Sequence, residues 1–145
     1  MATFSADGIA GLTFSLEEVA KMPVELQDEM LNAGADVLIP AQKAKIRQYG
    51  IYDLSNRETR HVADSVGKSK PKERKGSRVI YVTAKGARLR GKKKTRNAAI
   101  LYINEFGKRN QKARPAIRDS TEEAAPRVEQ AELEVWDKFL TKNNL

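Results

Sequence analysis

The chain has 145 residues, of which 40% are apolar and 32% charged, and it carries a formal net charge of +8. It contains no cysteine and one histidine, His61, which excludes disulfides, thiolate metal ligation and an ordinary zinc site. It lacks a run of about 20 apolar residues that could span a membrane and the basic start of a signal peptide, so we expect a soluble protein with no membrane partner.

Positive charge is concentrated in the middle of the chain. Residues 68–96 contain thirteen Lys or Arg and a single acid, Glu73, whereas the remaining residues have 14 basic and 18 acidic side chains. The rest of the chain is therefore mildly acidic. Because a surface of one sign repels itself, the segment predicts a negatively charged partner.

The first fifty residues predict an arm followed by a long helix. Residues 1–13 are small and contain glycine, which indicates a flexible arm or a short strand, and Ser15 with Glu18 forms a capping pair for a short helix. From Pro23, apolar residues recur at spacings of three and four, which predicts a helix to about Gln48. Pro40 inside it predicts a kink near residues 36–40.

The middle of the chain predicts short strands separated by basic loops. Residues 61–66 are compatible with a strand, and residues 78–84 (RVIYVTA) form the strongest strand pattern in the chain. Residues 68–76 then make a lysine-rich loop between antiparallel strands. Residues 85–97 are rich in Gly and Lys without an apolar period, which predicts a long mobile loop.

The last third predicts a second long helix. Residues 98–106 (AAILYINEF) suit a strand or a short helix, and we favour mixed character. Pro115 suits a helix start, Ser120 with Glu123 makes a second capping pair, and Pro126 predicts a break or a fresh first turn. An apolar stripe follows, in which Trp136 and Phe139 are expected in the core.

These elements predict an α+β fold in one domain spanning residues 1–145. Two long helices pack on a small antiparallel sheet, and long basic loops at 68–76 and 85–97 project from it. Residues 1–13 form the flexible arm.

The sequence offers little for catalysis. His61 is the only imidazole, and the paired acids lie on expected helix exteriors, where solvated carboxylates are the usual case. The glycines at 86 and 91 do not match the phosphate-loop pattern. We therefore predict no catalytic residue, cofactor or metal site, and we expect that the protein is not an enzyme.

The basic segment leaves three interpretations open: a solvated loop that keeps the protein soluble, direct contact with nucleic acid, and docking onto an acidic protein surface. Nucleic-acid contact would be salt-dependent, but Tyr81 is the only aromatic residue in the segment for base stacking. Residues 7–36 hold seven acids and one Lys, so the acidic surface could belong to a second copy in a ring. The candidate contact residues are Lys68, Lys70, Lys72, Arg74, Lys75, Lys85, Arg88, Arg90, Lys92, Lys93, Lys94 and Arg96.

Two short blocks carry a family resemblance. An apolar run ends in Glu105-Phe106-Gly107, and after a short polar linker Ala113-Arg114-Pro115 opens a helix rich in Ala and Glu. This pattern resembles a family of tail-completion or head–tail joining proteins of long-tailed, lambda-like bacteriophages. The family usually has Phe after the proline, where this chain has Ala116, and the resemblance covers about residues 25–142.

The resemblance implies a structural virion protein rather than an enzyme. Its members form a ring, which implies a hexamer of this chain at the head-proximal end of the tail, in the phage neck. The implied neighbours are head-closure, tail-terminator or tail-tube proteins, and genomic DNA in the lumen would be contacted without sequence preference. Such a protein is made in the cytoplasm of the host bacterium. A small basic nucleic-acid-binding protein is the alternative function.

Overall fold

The computed structural model describes residues 3–5, 13–15, 22–51, 61–90 and 92–144. Within these residues the fold is α+β, as predicted: two long helices and one short helix accompany short antiparallel strands. The elements in chain order are β1 (Thr3–Ser5), β2 (Thr13–Ser15), α1 (Val24–Gln48), a 3-10 helix (Val62–Ser65), β3 (Val66–Lys68), β4 (Lys72–Arg74), β5 (Ser77–Val79), β6 (Val82–Ala84), β7 (Ala87–Arg90), β8 (Lys93–Arg96), α2 (Asn97–Phe106) and α3 (Ala116–Lys142).

The two long helices pack against each other in antiparallel directions. Gly34 of α1 lies against α3 so closely that a Cβ built on it would be 2.6 Å from Glu132 Oε1 and 3.0 Å from Val128. Eleven residues further along α1, Lys45 Nζ lies 2.8 Å from Glu123 Oε2, which precedes Val128 in α3. The C-terminal end of α1 therefore lies beside the N-terminal part of α3.

Two predictions about α3 are wrong. The helix continues without a break through Pro126, and Ser120 is not a cap but a buried residue whose hydroxyl donates to the Ile117 carbonyl at 3.0 Å. Pro126 is on the exposed side, so the carbonyl that it leaves without an amide donor lies where water can bond to it. In α1, Pro40 is likewise exposed within a continuous helix.

Residues 66–84 form an interrupted antiparallel hairpin. β3 pairs with β6, with Val66 opposite Ala84, and β4 pairs with β5, with Lys72 opposite Val79. The turn is at Lys75 and Gly76, where φ is +50° and +80°, as a two-residue type I′ turn requires. The prediction of a loop over 68–76 is therefore wrong, because β4 lies within it, and the predicted strand 78–84 is divided in two.

The interruption in the hairpin has a local cause. The Ser69 hydroxyl accepts the Tyr81 amide at 3.0 Å, and the Ser69 amide donates to the Tyr81 carbonyl at 2.8 Å. A side chain thus replaces one backbone partner and the regular ladder stops there. The strand predicted over 61–66 is also wrong, since most of it is the 3-10 helix, and strand structure begins only at Val66.

Within the predicted loop 85–97, residues 87–90 and 93–96 form a hairpin, and Gly91 lies outside the described residues. β7 pairs with β8 in antiparallel register, from Ala87 opposite Arg96 to Arg90 opposite Lys93. The chain then enters α2 directly, so the mixed character predicted for 98–106 is also wrong, because that segment is helical. No helix among the described residues is long and apolar enough to cross a membrane.

The core lies where the C-terminal end of α1 meets the 3-10 helix, α2 and the start of α3. Its most buried large side chains are Ile46, Ile51 and Val62, and Leu101 of α2 joins them. Trp136 is a core residue, as predicted, with 9% of its surface exposed. Its ring stacks on the half-buried Phe139 with centroids 5.7 Å apart.

For the amino-terminal predictions, β1 pairs with β2, which agrees with a short strand at Thr3–Ser5. Ser15 is the last residue of β2. Its predicted capping partner, Glu18, and the short helix they would begin lie outside the described residues.

Candidate functional site

The β7–β8 hairpin presents basic residues to solvent. Its exposed cations are Lys92, Lys93, Lys94 and Arg96, and Lys85, just before β7, is also exposed. Arg88 differs, because only 6% of its surface is exposed and its Nε donates to Asn97 Oδ1 at 3.0 Å. The prediction of Arg88 as an exposed contact residue is therefore wrong, and for Arg90 the structure describes only its place in β7.

Some basic residues of the first hairpin, residues 66–84, contact acids of α1. Arg78 makes a bidentate contact with Asp28, with Nη2 2.6 and 2.7 Å from the two carboxylate oxygens, and Lys68 Nζ lies 2.7 Å from Asp36. These ion pairs hold the first hairpin against α1 of the same chain. Lys70, Lys72, Arg74 and Lys75 remain exposed.

Tyr81 is already covered by cations. Lys72 Nζ lies 5.0 Å and the Arg74 guanidinium carbon 5.9 Å from its ring centroid, and Arg74 also donates to the Tyr81 hydroxyl. A ring that is covered by cation–π contacts offers less surface for base stacking. The first hairpin thus presents charged side chains rather than an aromatic surface on which bases could stack.

Helix α2 has an apolar side exposed to solvent and two polar residues inside. Its inner side buries Asn97 and Asn104, whereas Tyr102 is 67% and Phe106 69% exposed. The two rings lie side by side with centroids 4.8 Å apart. The exposed side is entirely apolar and consists of Ala98, Ala99, Tyr102, Ile103 and Phe106, which we call the α2 face.

This face is a candidate functional feature that the sequence interpretation missed. Once residues 97–106 are helical, these five side chains lie within one arc at 100° per residue. A cluster of apolar side chains left in water on a soluble protein marks an interaction site more often than a packing defect.

Glu105 caps the start of α3. Its two carboxylate oxygens accept the amide of Ile117 at 3.0 Å and the amide of Arg118 at 2.9 Å. These are N–H groups that a helix leaves without internal partners, and a negative charge there also complements the helix dipole. Glu105 therefore connects α2 to α3.

Gly107 and Asn104 hold the linker between the two helices. Gly107 ends α2 at φ +76°, ψ −177°, and its Cα is so close to the linker that a Cβ would lie 2.8 Å from the Gln111 carbonyl oxygen. The buried Asn104 side chain accepts from Gln111 Nε2 and from Arg114 Nη2, both at 2.8 Å, and donates to the Ile100 carbonyl.

Arg114 joins this junction to the end of α1. Its Nη1 donates to the Gly50 carbonyl at 3.1 Å and to the Tyr49 carbonyl at 3.4 Å, and Pro115 then precedes the first residue of α3. Ala113 is exposed. Most residues of the two sequence blocks therefore form a three-helix junction, and Phe106 alone among them belongs to the α2 face.

His61 borders an open cavity of about 430 Å³, lined by His61, Asp64, Ser65, Lys85, Ala87, Arg88 and Asn97. Two of the lining side chains form hydrogen bonds within the 3-10 helix. His61 Nδ1 accepts the Ala63 amide at 3.1 Å, and the Ser65 hydroxyl donates to the Val62 carbonyl at 2.6 Å. Burial, followed by Arg47, lowers the pKa of His61, which favours the neutral ring that this contact needs. We assign these residues a structural role.

Two acids in the helical pair have shifted pKa values. The Tyr49 hydroxyl donates to Asp119 and lowers the pKa of that carboxyl, while the same bond raises the pKa of Tyr49. Burial against α1, and then the charge of Glu129, raises the pKa of Glu132. No group of three or more metal-ligating side chains occurs among the described residues.

Comparison with protein-family models, with curated proteins and with solved structures finds no match to this chain. We therefore infer its function from the surfaces of the molecule and from the resemblance carried by its two sequence blocks.

Proposed function

We propose that this chain is a structural, non-enzymatic subunit of a ring in the neck of a long-tailed bacteriophage, where it completes the tail and joins it to the DNA-filled head. The observation that carries the proposal is the exposed α2 face beside the basic β7–β8 hairpin. Such a pairing of apolar and charged surface is typical of a protein that works by docking to other proteins.

The interior of the molecule supports this interpretation. Glu105 accepts two amides of α3 at 3.0 and 2.9 Å, and Arg114 joins Asn104 of α2, at 2.8 Å, to the Gly50 carbonyl beyond the end of α1, at 3.1 Å. They thereby hold Tyr102 and Phe106 in a defined position on the outside. A fixed apolar face loses less conformational entropy on docking than a flexible one, which favours binding.

The neck location follows from the resemblance of the two sequence blocks. In such an assembly the copies form a hexameric ring, neighbouring head-closure, tail-terminator or tail-tube rings are its partners, and DNA passes through the lumen. The assembled protein belongs to the virion and is made in the cytoplasm of the host.

The exposed cations of the β7–β8 hairpin also favour the second candidate, a small sequence-independent nucleic-acid-binding protein. Because Tyr81 is covered by Lys72 and Arg74, binding would depend on phosphate contacts. Its affinity would fall steeply with salt. The logarithm of the binding constant would decrease with the logarithm of the salt concentration, with a slope of about 0.9 per phosphate neutralised.

The decisive experiment is electron microscopy of phage particles made with and without this protein. We expect its loss to leave filled heads and separate tails. Normal particles would refute the neck function, and a salt-titrated DNA-binding measurement would then test the alternative. A double variant, Tyr102→Ala with Phe106→Ala, should reproduce the loss, whereas Val24→Ala, which shortens a 48% exposed apolar side chain elsewhere, should not.

A further inference from the structure

Charge matching within the chain leaves two surfaces of opposite sign without ion partners. On α1, Asp28 and Asp36 are paired with Arg78 and Lys68 of the first hairpin. Among the residues that the structure describes, no acidic oxygen lies within 4 Å of the basic groups of Lys92, Lys93, Lys94 or Arg96. The β7–β8 hairpin therefore remains unmatched, as do the exposed Lys70, Lys72, Arg74 and Lys75 of the first hairpin.

A row of unmatched acids lies on the outer side of α3, apart from the exposed Glu25 and Glu29 of α1 and Glu73 of β4. Between residues 121 and 137 this side exposes five acids, Glu122, Glu123, Glu129, Glu134 and Asp137, and one base, Arg127. Glu123 is paired with Lys45. The other four have no cation within 4 Å among the described residues, so an acidic strip remains along α3, which we call the α3 strip.

The far part of the α3 strip lies away from the α2 face. The end of α2 adjoins the first turn of α3 through the contacts of Glu105 with Ile117 and Arg118, and β8 leads directly into the start of α2. Glu134 lies 17 residues beyond Ile117 in the same helix, a separation of about 25 Å at 1.5 Å per residue. One molecule therefore cannot bring its own basic hairpin onto the far part of its α3 strip.

We propose that the α2 face and β7–β8 hairpin of one copy dock onto the α3 strip of a second copy, with Lys92–Lys94 facing the acids and Tyr102 and Phe106 packed at the centre. This inference builds on the proposed ring and names its subunit contact. The second copy is the occupant because the chain itself carries the complementary strip. Since the two surfaces differ, the contact is heterologous, and its repetition closes a ring or extends a filament.

Cysteine crosslinking tests the contact directly, because the natural chain has no cysteine. The variants are Ala99→Cys on the α2 face and Gln130→Cys beside the α3 strip, both at exposed positions. Each is treated with a short bis-maleimide, alone and as an equimolar mixture, at about 1 mM protein, where contacts with a Kd near 1 mM are populated.

A covalent dimer in the mixture, with little in either variant alone, is the expected result. Efficient crosslinking of Ala99→Cys to itself would mean a two-fold contact and would overturn the proposal. Absence of a crosslink from the mixture would also overturn it.

Charge reversal provides an independent test by sedimentation equilibrium. One variant reverses Lys92, Lys93 and Lys94 to Glu, and the other reverses Glu129, Glu134 and Asp137 to Lys. Each alone should associate about tenfold or more weakly than the natural chain, because like charges then meet. Their equimolar mixture should recover association, since every contact again joins opposite signs.

A matched control reverses Lys70, Lys72 and Lys75 to Glu on the first hairpin, which is the same change of charge at another exposed site. This variant should associate like the natural chain. Equal weakening by the control, or no recovery in the mixture, would refute the named surfaces. Circular dichroism confirms that each variant is folded.

The failure of this proposal can be distinguished from failure of the neck function. If heads and tails fail to join without the protein but the crosslinks are absent, the named subunit contact is wrong and the neck function stands. If the crosslinks form but particles assemble normally without the protein, self-association stands and the neck function is wrong.

Discussion

Gly107 and Gly76 provide a test of how tightly the three-helix junction is built. Both have positive φ, +76° and +80°. A Cβ at Gly107 would lie 2.8 Å from the Gln111 carbonyl oxygen and 2.9 Å from the Ala113 amide nitrogen, whereas a Cβ at Gly76 would meet no atom within 4 Å. Alanine at the two positions therefore shares a strained φ but differs in steric contact.

The expected losses can be worked out separately. For Gly76→Ala the strain of a left-handed residue costs about 1 kcal/mol. Gly107 also has ψ −177°, a region that only glycine populates readily, where strain reaches about 1–3 kcal/mol. The Cβ would in addition displace the Lys108–Gln111 bridge, whose two backbone hydrogen bonds each contribute about 1 kcal/mol. We expect Gly107→Ala to lower the free energy of unfolding by about 3 kcal/mol or more.

The assay is urea unfolding of both variants and the natural chain, followed by the helical circular dichroism signal. A loss for Gly107→Ala that exceeds the loss for Gly76→Ala by about 2 kcal/mol would agree with the geometry. Equal losses, or a smaller loss at Gly107, would show that the linker yields easily, and the account of a rigid junction that holds α2 in place would be refuted.

Three further predictions concern ionisable side chains. Glu105→Ala should lower the free energy of unfolding by about 1–2 kcal/mol in urea, because two amides of α3 lose their acceptor, while the exposed Glu129→Ala should change it by under about 0.5 kcal/mol. Because burial and nearby arginines lower the folded-state pKa of His61, the unfolded chain binds this proton at higher pH. Stability should then fall as the pH drops below about 6.5, and His61→Asn, which retains a capping acceptor, should flatten that part of a thermal-unfolding profile; an unchanged slope would contradict the assignment. The raised pKa of Glu132 means that its charged form disfavours folding, so Glu132→Gln should raise the melting temperature at neutral pH and lose the advantage in acid; a lower melting temperature at neutral pH would contradict this.

Much of the fold could be predicted from local patterns. The apolar spacing from Leu26 onward predicts α1, and the stripe that contains Trp136 predicts the buried side of α3. The strand predictions were weaker because the strands are only three or four residues long, too short for a two-residue period to be distinguished.

The errors share a physical reason. Pro126 suggests a break, yet the packing of α3 on α1 supports a continuous helix and the proline lies on the solvent side. The run from Lys85 to Asn97 lacks an apolar period, yet β7 and β8 within it pair as a hairpin, and Arg88 turns inward to Asn97. In both places contacts between elements outweigh local preference.

The candidate site was predicted only in part. The sequence identifies the basic segment, but it does not reveal that Lys68 and Arg78 are paired with α1 while the lysines of the β7–β8 hairpin are not. It also places Glu105 and Arg114 in a motif without their partners. The structure assigns them to helix capping and to the end of α1, which makes them supports for the α2 face.

The sequence by itself determined the charge distribution, the two long helices and the lack of cysteine, because these depend on composition and on residues close together in the chain. Only the tertiary structure decided which charges are matched and which side of α2 faces solvent, with Asn104 inside and Phe106 outside. Those outcomes depend on partners ten or more residues away, such as Arg114 for Asn104 and Asp28 for Arg78. No local pattern of polarity contains that information.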